Sequence, residues 1–511
     1  MTKKRFSRTK AFTDCLKNSG YSEAGASYSR NALKGFIANS SAPAQDIHDN
    51  NFTLRQRSRM LYMGAPIATG ALRRARTNIV GSGLRLKATV DRDVLGLSEE
   101  EAERWNRRVE SEFSVWADSK DACDATGVND FYGMQQLALL SWLMSGDVFA
   151  LVKRANATRR HPYGLRLHLI EADRVRTPLA NGGLFTINTT GETDTGRRIY
   201  DGVEVDDSGR IVAYYVANTY PYQLATEPTT IKRVEAYGDQ TGLPNVLHIM
   251  DAERPEQYRG VPYLAQAMEP LLQMRRYTES ELMAALVQSF FTAFVKTNAG
   301  PDTVPFNEVP LDEVTRDPNA YEMGPGTINV MEPGEDVSFG APTHPQTGFD
   351  TFMRAMCEQV GAALEIPADL LLLSFGSSYS ASRAALLEAW KAFRMRREWL
   401  IKDFCAPTYE LWLTEAVALG RISAPGFFTD PLVRKAYLHA DWIGPSQGQI
   451  DPTKEIQAST MAIEAGLSTH EAEAIKVNGS DYRANVSKLA AENELLRQAN
   501  SSSSTTGGGT N

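Results

Sequence analysis

The sequence predicts an α+β, mainly helical protein. Residues 264–291 and 349–419 repeat apolar side chains at helical spacing over long stretches. Between about 148 and 250 the pattern changes to short alternating segments around Asp206-Asp207-Ser208-Gly209, a hairpin signal. No uninterrupted apolar run approaches the roughly 18 residues of a membrane span, so no membrane partner is expected.

With 511 residues the chain can bury a large core and divide into subdomains. Its net charge of −8 is unevenly placed. Residues 1–87 carry 16 Lys and Arg against 4 Asp and Glu, and the remainder 38 against 58. The basic front is either a solvated flexible arm or a surface for something anionic, nucleic acid or an acidic partner. The acidic body argues against tight duplex binding, which draws its affinity from phosphate neutralisation. It suits a protein past which DNA slides. The four cysteines, Cys15, Cys123, Cys357 and Cys405, are scattered, as expected of reduced thiols inside a cell. The basic N-terminus has no apolar segment behind it, so no secretory signal is expected.

Along the chain, the extreme N-terminus is polar and expected to be poorly ordered. Residues 54–79 form a helical pattern with a break near Gly64-Ala65-Pro66. Arg55, Arg57 and Arg59 precede the break, and Arg73, Arg74 and Arg76 follow it. Gly81-Ser82-Gly83 reads as a turn into a strand; no third glycine stands at dinucleotide spacing. Ser98 with Glu101 is a capping box for a helix whose Trp105, Val109, Phe113 and Trp116 share a face. A helix at 130–145 stops at Gly146 and gives way to a strand at 148–152. Strands follow at 165–170, 203–205, 211–216 and 246–250. His168 and His248 lie in them without Asp, Glu or Cys at ligand spacing and read as packed or surface histidines.

After a turn-rich corner at 254–262, a long helix is expected at 264–291, interrupted early by Pro270. Residues 299–347 are rich in Pro, Gly and acidic residues, with a short strand at 327–330, and read as a compact insertion. A helix from Phe349 is ended by Ile366-Pro367. The stretch 369–380 is too apolar for an ordinary loop and too rich in Ser and Gly for a strand. Ser380 or Ser382 caps the next helix, in which Pro407 predicts a kink. Short helices are expected across 430–480, a last one at 481–498, and a disordered low-complexity tail from 501.

Catalytic signatures are missing. There is no phosphate-binding G-x-x-x-x-G-K-[ST] loop, no H-E-x-x-H and no Cys/His cluster. Gly376-Ser377-Ser378-Tyr379-Ser380 is not a G-x-S-x-G elbow. No enzyme activity, metal or cofactor is expected, with an unfamiliar hydrolase as a rival reading.

Four motifs stand in a characteristic order. They are Asn78-Ile79-Val80-Gly81-Ser82-Gly83-Leu84 after the arginine-rich helix, Arg254-Pro255 through Gln257-Tyr258-Arg259-Gly260-Val261-Pro262, Ala363-Leu364-Glu365-Ile366-Pro367 followed by Tyr379-Ser380-Ala381-Ser382-Arg383, and the C-terminal set Asp451-Pro452-Thr453, Gly466-Leu467-Ser468 and Gly479-Ser480-Asp481-Tyr482. Together they resemble the lambda-type phage portal protein family over about residues 20–495. Met63-Gly64 departs from the family pattern, which has a basic residue followed by Asn.

The resemblance implies a portal fold. A flexible basic arm at 1–24 would precede a wing at 25–263. The first stem helix at 264–291, a small β-containing clip at 292–347 and the second stem helix at 348–367 would follow. A tunnel loop at 368–381, a kinked helix at 382–420 completing the wing, a helical crown at 421–500 and a disordered tail at 501–511 would complete the chain. It also implies a homo-oligomeric ring, usually a dodecamer, at one capsid vertex, assembled in the host cytoplasm and retained in the virion. Double-stranded DNA would pass through its channel. The terminase large subunit, the head–tail connector protein and the major capsid protein would be its partners. The tunnel-loop residues would be Leu371, Leu372, Ser374, Phe375, Ser377, Ser378, Tyr379 and Ser380, leucines and phenylalanine packing between neighbouring loops and serines sliding on phosphate. Lys391, Arg394 and Arg397, with Arg396, would face DNA or pair with carboxylates across an interface. The alternative is a head–tail joining or capsid-vertex scaffold through which no DNA moves.

Overall fold

The computed structural model describes residues 31–33, 35–36, 41–178, 190–193, 196–223, 228–289, 293–297, 335–339, 348–376, 378–448 and 451–504. The expected basic arm at 1–24, most of the 292–347 insertion with its strand at 327–330, and residues 505–511 lie outside them.

After a 3₁₀ turn at Asn31–Leu33 and a π turn at Ala44–His48 come two α-helices, α1 (Asp49–Gly64) and α2 (Pro66–Ile79). The break falls at Ala65, extended at φ −118° because a residue before proline avoids the helical region, and Pro66 starts α2. At Gly83 (φ 121°) a Cβ would stand 2.4 Å from that of Tyr132, so only glycine fits the turn into β1 (Arg85–Ala88). Helix α3 (Glu99–Ala117) begins at Ser98 with the reciprocal Glu101 box formed. Helix α4 (Phe131–Ser145) is capped by Asp130, which accepts from the Gly133 N–H at 2.7 Å, and ends at Gly146 (φ 90°).

The β-rich half follows: β2 (Asp147–Arg154), β3 (Leu165–Glu171), β4 (Thr190–Glu192), β5 (Arg198–Tyr200), β6 (Val203–Val205), β7 (Ile211–Ala217), β8 (Ile231–Glu235) and β9 (Val246–Met250). They form two antiparallel sheets, ordered β3-β2-β9 and β4-β5-β6-β7-β8, with the hairpin at 206–209 joining β6 to β7 as expected. Alternation along β2 serves two cores. Val148 and Ala150 face the large core, while Phe149 and Leu151 join Val203, Tyr214 and Val216 in a smaller one.

Helix α5 (Met268–Ser289) starts after a 3₁₀ turn at Ala265–Ala267, later than the expected 264. Pro270 therefore sits in its first turn, where a missing N–H costs nothing, and does not interrupt it. Strands β10 (Ala293–Thr297) and β11 (Glu335–Phe339) pair antiparallel across the base of the insertion. Then come α6 (Phe349–Ala363), the short α7 (Ala368–Leu372), α8 (Tyr379–Leu400) and α9 (Ala406–Ala418). Between α8 and α9 the helix widens into a π turn, Ile401–Cys405, where the Ala406 N–H reaches back to the Ile401 carbonyl. The irregularity expected at Pro407, which has no N–H to give, is thus absorbed in the turn before it.

The last elements are α10 (Pro431–Tyr437), β12 (Ala440–Ile443), α11 (Pro452–Glu464), α12 (His470–Asn478) and α13 (Tyr482–Ser504). Two expectations change here. Strand β12 was not foreseen; it pairs with β1, Arg85 opposite Ile443, and so joins an early segment of the chain to a late one. Helix α13 runs on to Ser504, into the tail expected to be disordered from 501.

The large core is aromatic. Trp412 of α9 meets Phe113 of α3 edge-on at 5.1 Å, and Phe404 lies 5.5 Å from Phe131 of α4. Trp116 and Trp412 are both fully buried. Side chains of this size dominate core energetics, about 3–5 kcal/mol each on truncation to Ala, so α9 is held as an internal beam. Cys123, Cys357 and Cys405 are buried free thiols.

Candidate functional site

The segment from α6 to α8 carries the unusual loop. Below it, α6 packs on α5: Tyr277 stacks on Phe349 at 5.5 Å and meets Phe352 edge-on at 5.0 Å. At the end of α6 the chain folds back tightly. A Cβ on Gly361 would stand 2.4 Å from the Ile366 carbonyl oxygen, and the Ile366 N–H donates to the Gly361 carbonyl at 2.9 Å. The return is pinned on both sides. The Tyr263 hydroxyl donates to the Leu364 carbonyl, and Arg396 of α8 pairs with Glu365 at 2.6 Å while lying 4.7 Å over the Tyr263 ring.

Helix α7 then places its leucines on opposite sides. Leu371 is 3% exposed and belongs to the chain's own core, which corrects the expectation that it packs between loops of neighbouring chains. Leu372 is partly exposed, and Leu373 and Phe375 are 63% and 55% exposed. Leu373 ends α7 in the left-handed region (φ 53°), a conformation strained for leucine that throws its side chain outward. Arg354 braces the start of the loop through Asp369 at 3.2 Å, and the Ser374 N–H donates to the Asp369 carbonyl. Ser378, not Ser380 or Ser382, caps α8, accepting from the Ala381 N–H at 3.4 Å. Its hydroxyl lies 3.3 Å from that of the exposed Ser380. Tyr379 is the first residue of α8, and Ser377 lies outside the described residues. Helix α7 and the start of α8 thus lie inside the expected segment 368–381, with 373–378 between them.

The basic residues of α8 divide. Lys391 is exposed and pairs with Glu388 at 2.6 Å; Arg394 is exposed. Arg397 does not face outward, a correction. Its guanidinium donates to the carbonyls of Ile79 (2.8 Å), Asn78 (2.9 Å) and Pro445 (2.8 Å). Burial, with Arg394 nearby, lowers its pKa to about 10, and it still caps the C-terminal end of α2 with charge of the favourable sign.

A second cluster was not visible in the sequence. Arg259 and Asp147 are completely buried and joined twice, at 2.6 and 3.1 Å. Asp147 also accepts from the Gly260 N–H at 3.1 Å, and His248, stacked on Phe149 at 4.2 Å, stands 3.5 Å from it. Burial pushes the Asp147 carboxyl up, but Arg259 and Arg55 more than offset it and hold it well below the usual range. Arg55 pairs with Asp201 at 2.8 Å, and Arg59 with Asp173 and Glu171. Helix α1 and the turn before it thus direct a polar stripe, His48, Asn51, Arg55 and Ser58, into the interior. Two arginines of the basic front segment are therefore internal to the fold. The signal was the helical spacing of that stripe, which reads as a solvated face until its partners, far along the chain, are known.

This cluster is a clamp. At Gly260 a Cβ would come 1.8 Å from the Gly146 carbonyl oxygen, and the Asn51 amide donates to the Gly260 carbonyl at 3.0 Å. The 254–262 corner, α1 and β2 are drawn together there, and the clamp sets the position from which α5 departs. Among the described residues no group of three or more His, Cys, Asp or Glu is placed to hold a metal, and no helix is long and apolar enough to cross a membrane.

A family model described as phage portal protein, lambda family, matches residues 29–397. Portal protein B of Escherichia phage lambda is 25% identical over 81% of this chain and 78% of its own length. The portal protein of Escherichia phage N15 is 26% identical over 81% and 79%. Among solved structures, a chain from the neck of a native gene transfer agent particle, computed with C12 symmetry, aligns at 12% identity and a TM-score of 0.43, covering 84% of this chain and 94% of that one. An HK97-family phage portal protein from Corynebacterium diphtheriae aligns at a TM-score of 0.29 and 13% identity, over 62% and 81%.

Proposed function

This chain belongs to the lambda family of phage portal proteins, and from that premise we propose that it assembles as a dodecameric ring at one capsid vertex and forms the channel for DNA packaging and ejection. The major capsid protein surrounds the ring. The insertion at 292–347 is the clip, docking first the terminase large subunit and later the head–tail connector. Helices α5 and α6 are the stem, the body up to the 254–262 corner is the wing, and α10 to α13 form the crown. The role is mechanical and uses no catalytic side chain.

One observation carries this reading: the loop at 373–378 presents Leu373 and Phe375 to the outside while everything around it is anchored. An apolar loop of this kind, on a chain that also exposes Leu282, Met283 and Leu286 along α5, is explained by burial against other copies. Such a contact joins unlike surfaces and closes into a ring. Leu372 and Phe375 then hold adjacent loops together. Ser374, Ser377, Ser378 and Ser380 offer passing phosphates weak hydrogen bonds, and the exposed Lys391 and Arg394 supply the positive charge.

The test is deletion of 373–376 in a phage lacking its own portal gene. Rings are expected to form and heads to remain without a full genome. Loss of rings would mean the loop is a structural element, and normal packaging would remove its proposed role. The deletion stops short of Leu371 because that residue belongs to the core.

A further inference from the structure

Helix α8 divides two surfaces of unlike chemistry. On one side, α8 and the return from α6 into α7 enclose a groove of about 460 Å³. Pro367, Ala392 and Met395 give it an apolar lining, and Glu358, Glu365 and Glu388 add three exposed carboxylates. Glu365 pairs with Arg396. Glu358 and Glu388 are held only by surface pairs about one turn away, with Arg354 at 3.6 Å and Lys391 at 2.6 Å. Such pairs are worth little, and they leave the carboxylates open to a further cation.

Helix α2 lies on the other side. Arg397, which donates to the carbonyls at the end of α2, is nine residues beyond Glu388, about two and a half turns, and so points the opposite way. The core face of α2 is Ala68, Ala71, Leu72, Ala75 and Ile79. Arg73 stands about 200° round the helix from both Ala71 and Ala75 and is exposed. Arg74 lies back along the helix beside it: a Cβ on Gly70 would stand 2.5 Å from its guanidinium. Among the described residues neither arginine pairs with a carboxylate. The Arg74 Nε–H is buried with no acceptor, and burial lowers its pKa with no carboxylate to oppose the shift. The chain therefore carries two unpaired guanidiniums on one side and a carboxylate-edged groove on the other.

We propose that Arg73 and Arg74 of one copy of this chain seat in the groove of the next, their stems on its apolar lining and their guanidiniums against Glu358 and Glu388. This rests on the proposed ring and names its side-to-side contact. Because the arginines and the groove face opposite ways, each copy gives α2 to one neighbour and its groove to the other. That is the head-to-tail relation between unlike surfaces by which a cyclic ring closes. An arginine suits the groove because its stem covers apolar surface while its planar head meets a carboxylate. The same carboxylates disfavour a phosphate there.

The experiment uses the full chain in two charge-reversed forms. One carries Arg73→Glu and Arg74→Glu, the other Glu358→Arg and Glu388→Arg, and rings are counted by electron microscopy. Each form alone should lose rings about ten-fold or more, since like charges then face each other across the contact. An equal mixture should restore them, because each form then meets its complement on both sides and the copies alternate, as a dodecamer allows. Arg73→Glu mixed with Glu388→Arg repeats the test at two exposed positions in case the Arg74 change unfolds the chain. Rings from each form alone at the wild-type level would overturn the contact and leave the ring standing. Loss of rings that neither mixture restores, in chains that melt like the wild type, would overturn the pairing. Normal rings of the Arg73→Glu, Arg74→Glu form that package less genome would turn the arginines toward DNA and overturn it too. A wild-type chain that forms no rings would overturn the ring itself.

Discussion

Arg259 and Asp147 form a doubly hydrogen-bonded ion pair, 2.6 and 3.1 Å, with neither side chain exposed to solvent. They are 112 residues apart in the chain, and their pairing fixes the corner from which the α5 helix leaves the body. Removing the Asp147 charge leaves the buried Arg259 with one carboxylate, Asp201 at 2.9 Å, in place of two, which costs about 3 kcal/mol, the low end for a broken buried pair. Asp147→Asn should lower stability by that amount, seen as a fall in the thermal midpoint of the purified chain. A change below about 1 kcal/mol would mean water reaches the pair.

Two groups give the stability opposite dependences on pH. Burial holds the His48 pKa down at about 4, opposed by Asp201 and reinforced by Arg259. The unfolded value is about 6.5, so the folded state binds fewer protons and stability falls as pH drops from about 6.5 to about 4. Asp403, in the π turn, is raised to about 6 by burial, with Lys402 opposing and Asp251 reinforcing. Its folded state binds more protons than the unfolded, so stability present below about pH 4 is lost as pH rises through about 6. Asp403→Asn should therefore add about 1–2 kcal/mol at pH 8 and nothing near pH 4, whereas His48→Gln should flatten the acid limb. Thermal midpoints across pH 4–8 for the three proteins read both effects; a gain from Asp403→Asn that persists at pH 4 would contradict the assignment.

Arg394 and Arg397 stand on the same helix and should behave differently. Arg397→Ala removes three charged hydrogen bonds to backbone carbonyls and should cost about 2–4 kcal/mol. Arg394→Ala should leave the fold within about 0.5 kcal/mol, as surface changes usually do. If Arg394 meets DNA, its loss should instead appear as reduced packaging by rings of normal stability. Equal destabilisation by the two substitutions, measured by denaturant unfolding, would contradict this division.

Leu371 and Phe375 make a similar contrast four residues apart. Leu371→Ala should cost about 2–5 kcal/mol through an unfilled core site. Phe375→Ala should leave the stability of the single chain nearly unchanged and, like the loop deletion, leave rings formed. The comparison is a melting curve for each variant beside the fraction of chains found in rings.

Much of this fold was legible in the sequence where the signal was local. The capping box at Ser98, the break before Pro66 and the hairpin at 206–209 depend on residues within a few positions of one another. What stayed hidden was set by distant partners. Strand β12 is only Ala440–Ile443 and exists because β1 lies beside it. Arg55 and Arg259 look like surface charge until Asp201 and Asp147 are brought to them. In the loop, the apolar excess was visible, but sequence pattern could not show that Leu371 turns inward while Leu373, in a left-handed conformation, turns out. Nor could it show that Arg397 belongs to the end of α2.

The central claim is that copies of this chain close into a ring around a channel, and electron microscopy of the purified full-length protein at micromolar concentration tests it most directly. The account predicts closed rings, dodecameric in class averages, with a central opening wide enough to admit a DNA duplex. A homogeneous monomer under the same conditions, or an assembly with no opening, would contradict it.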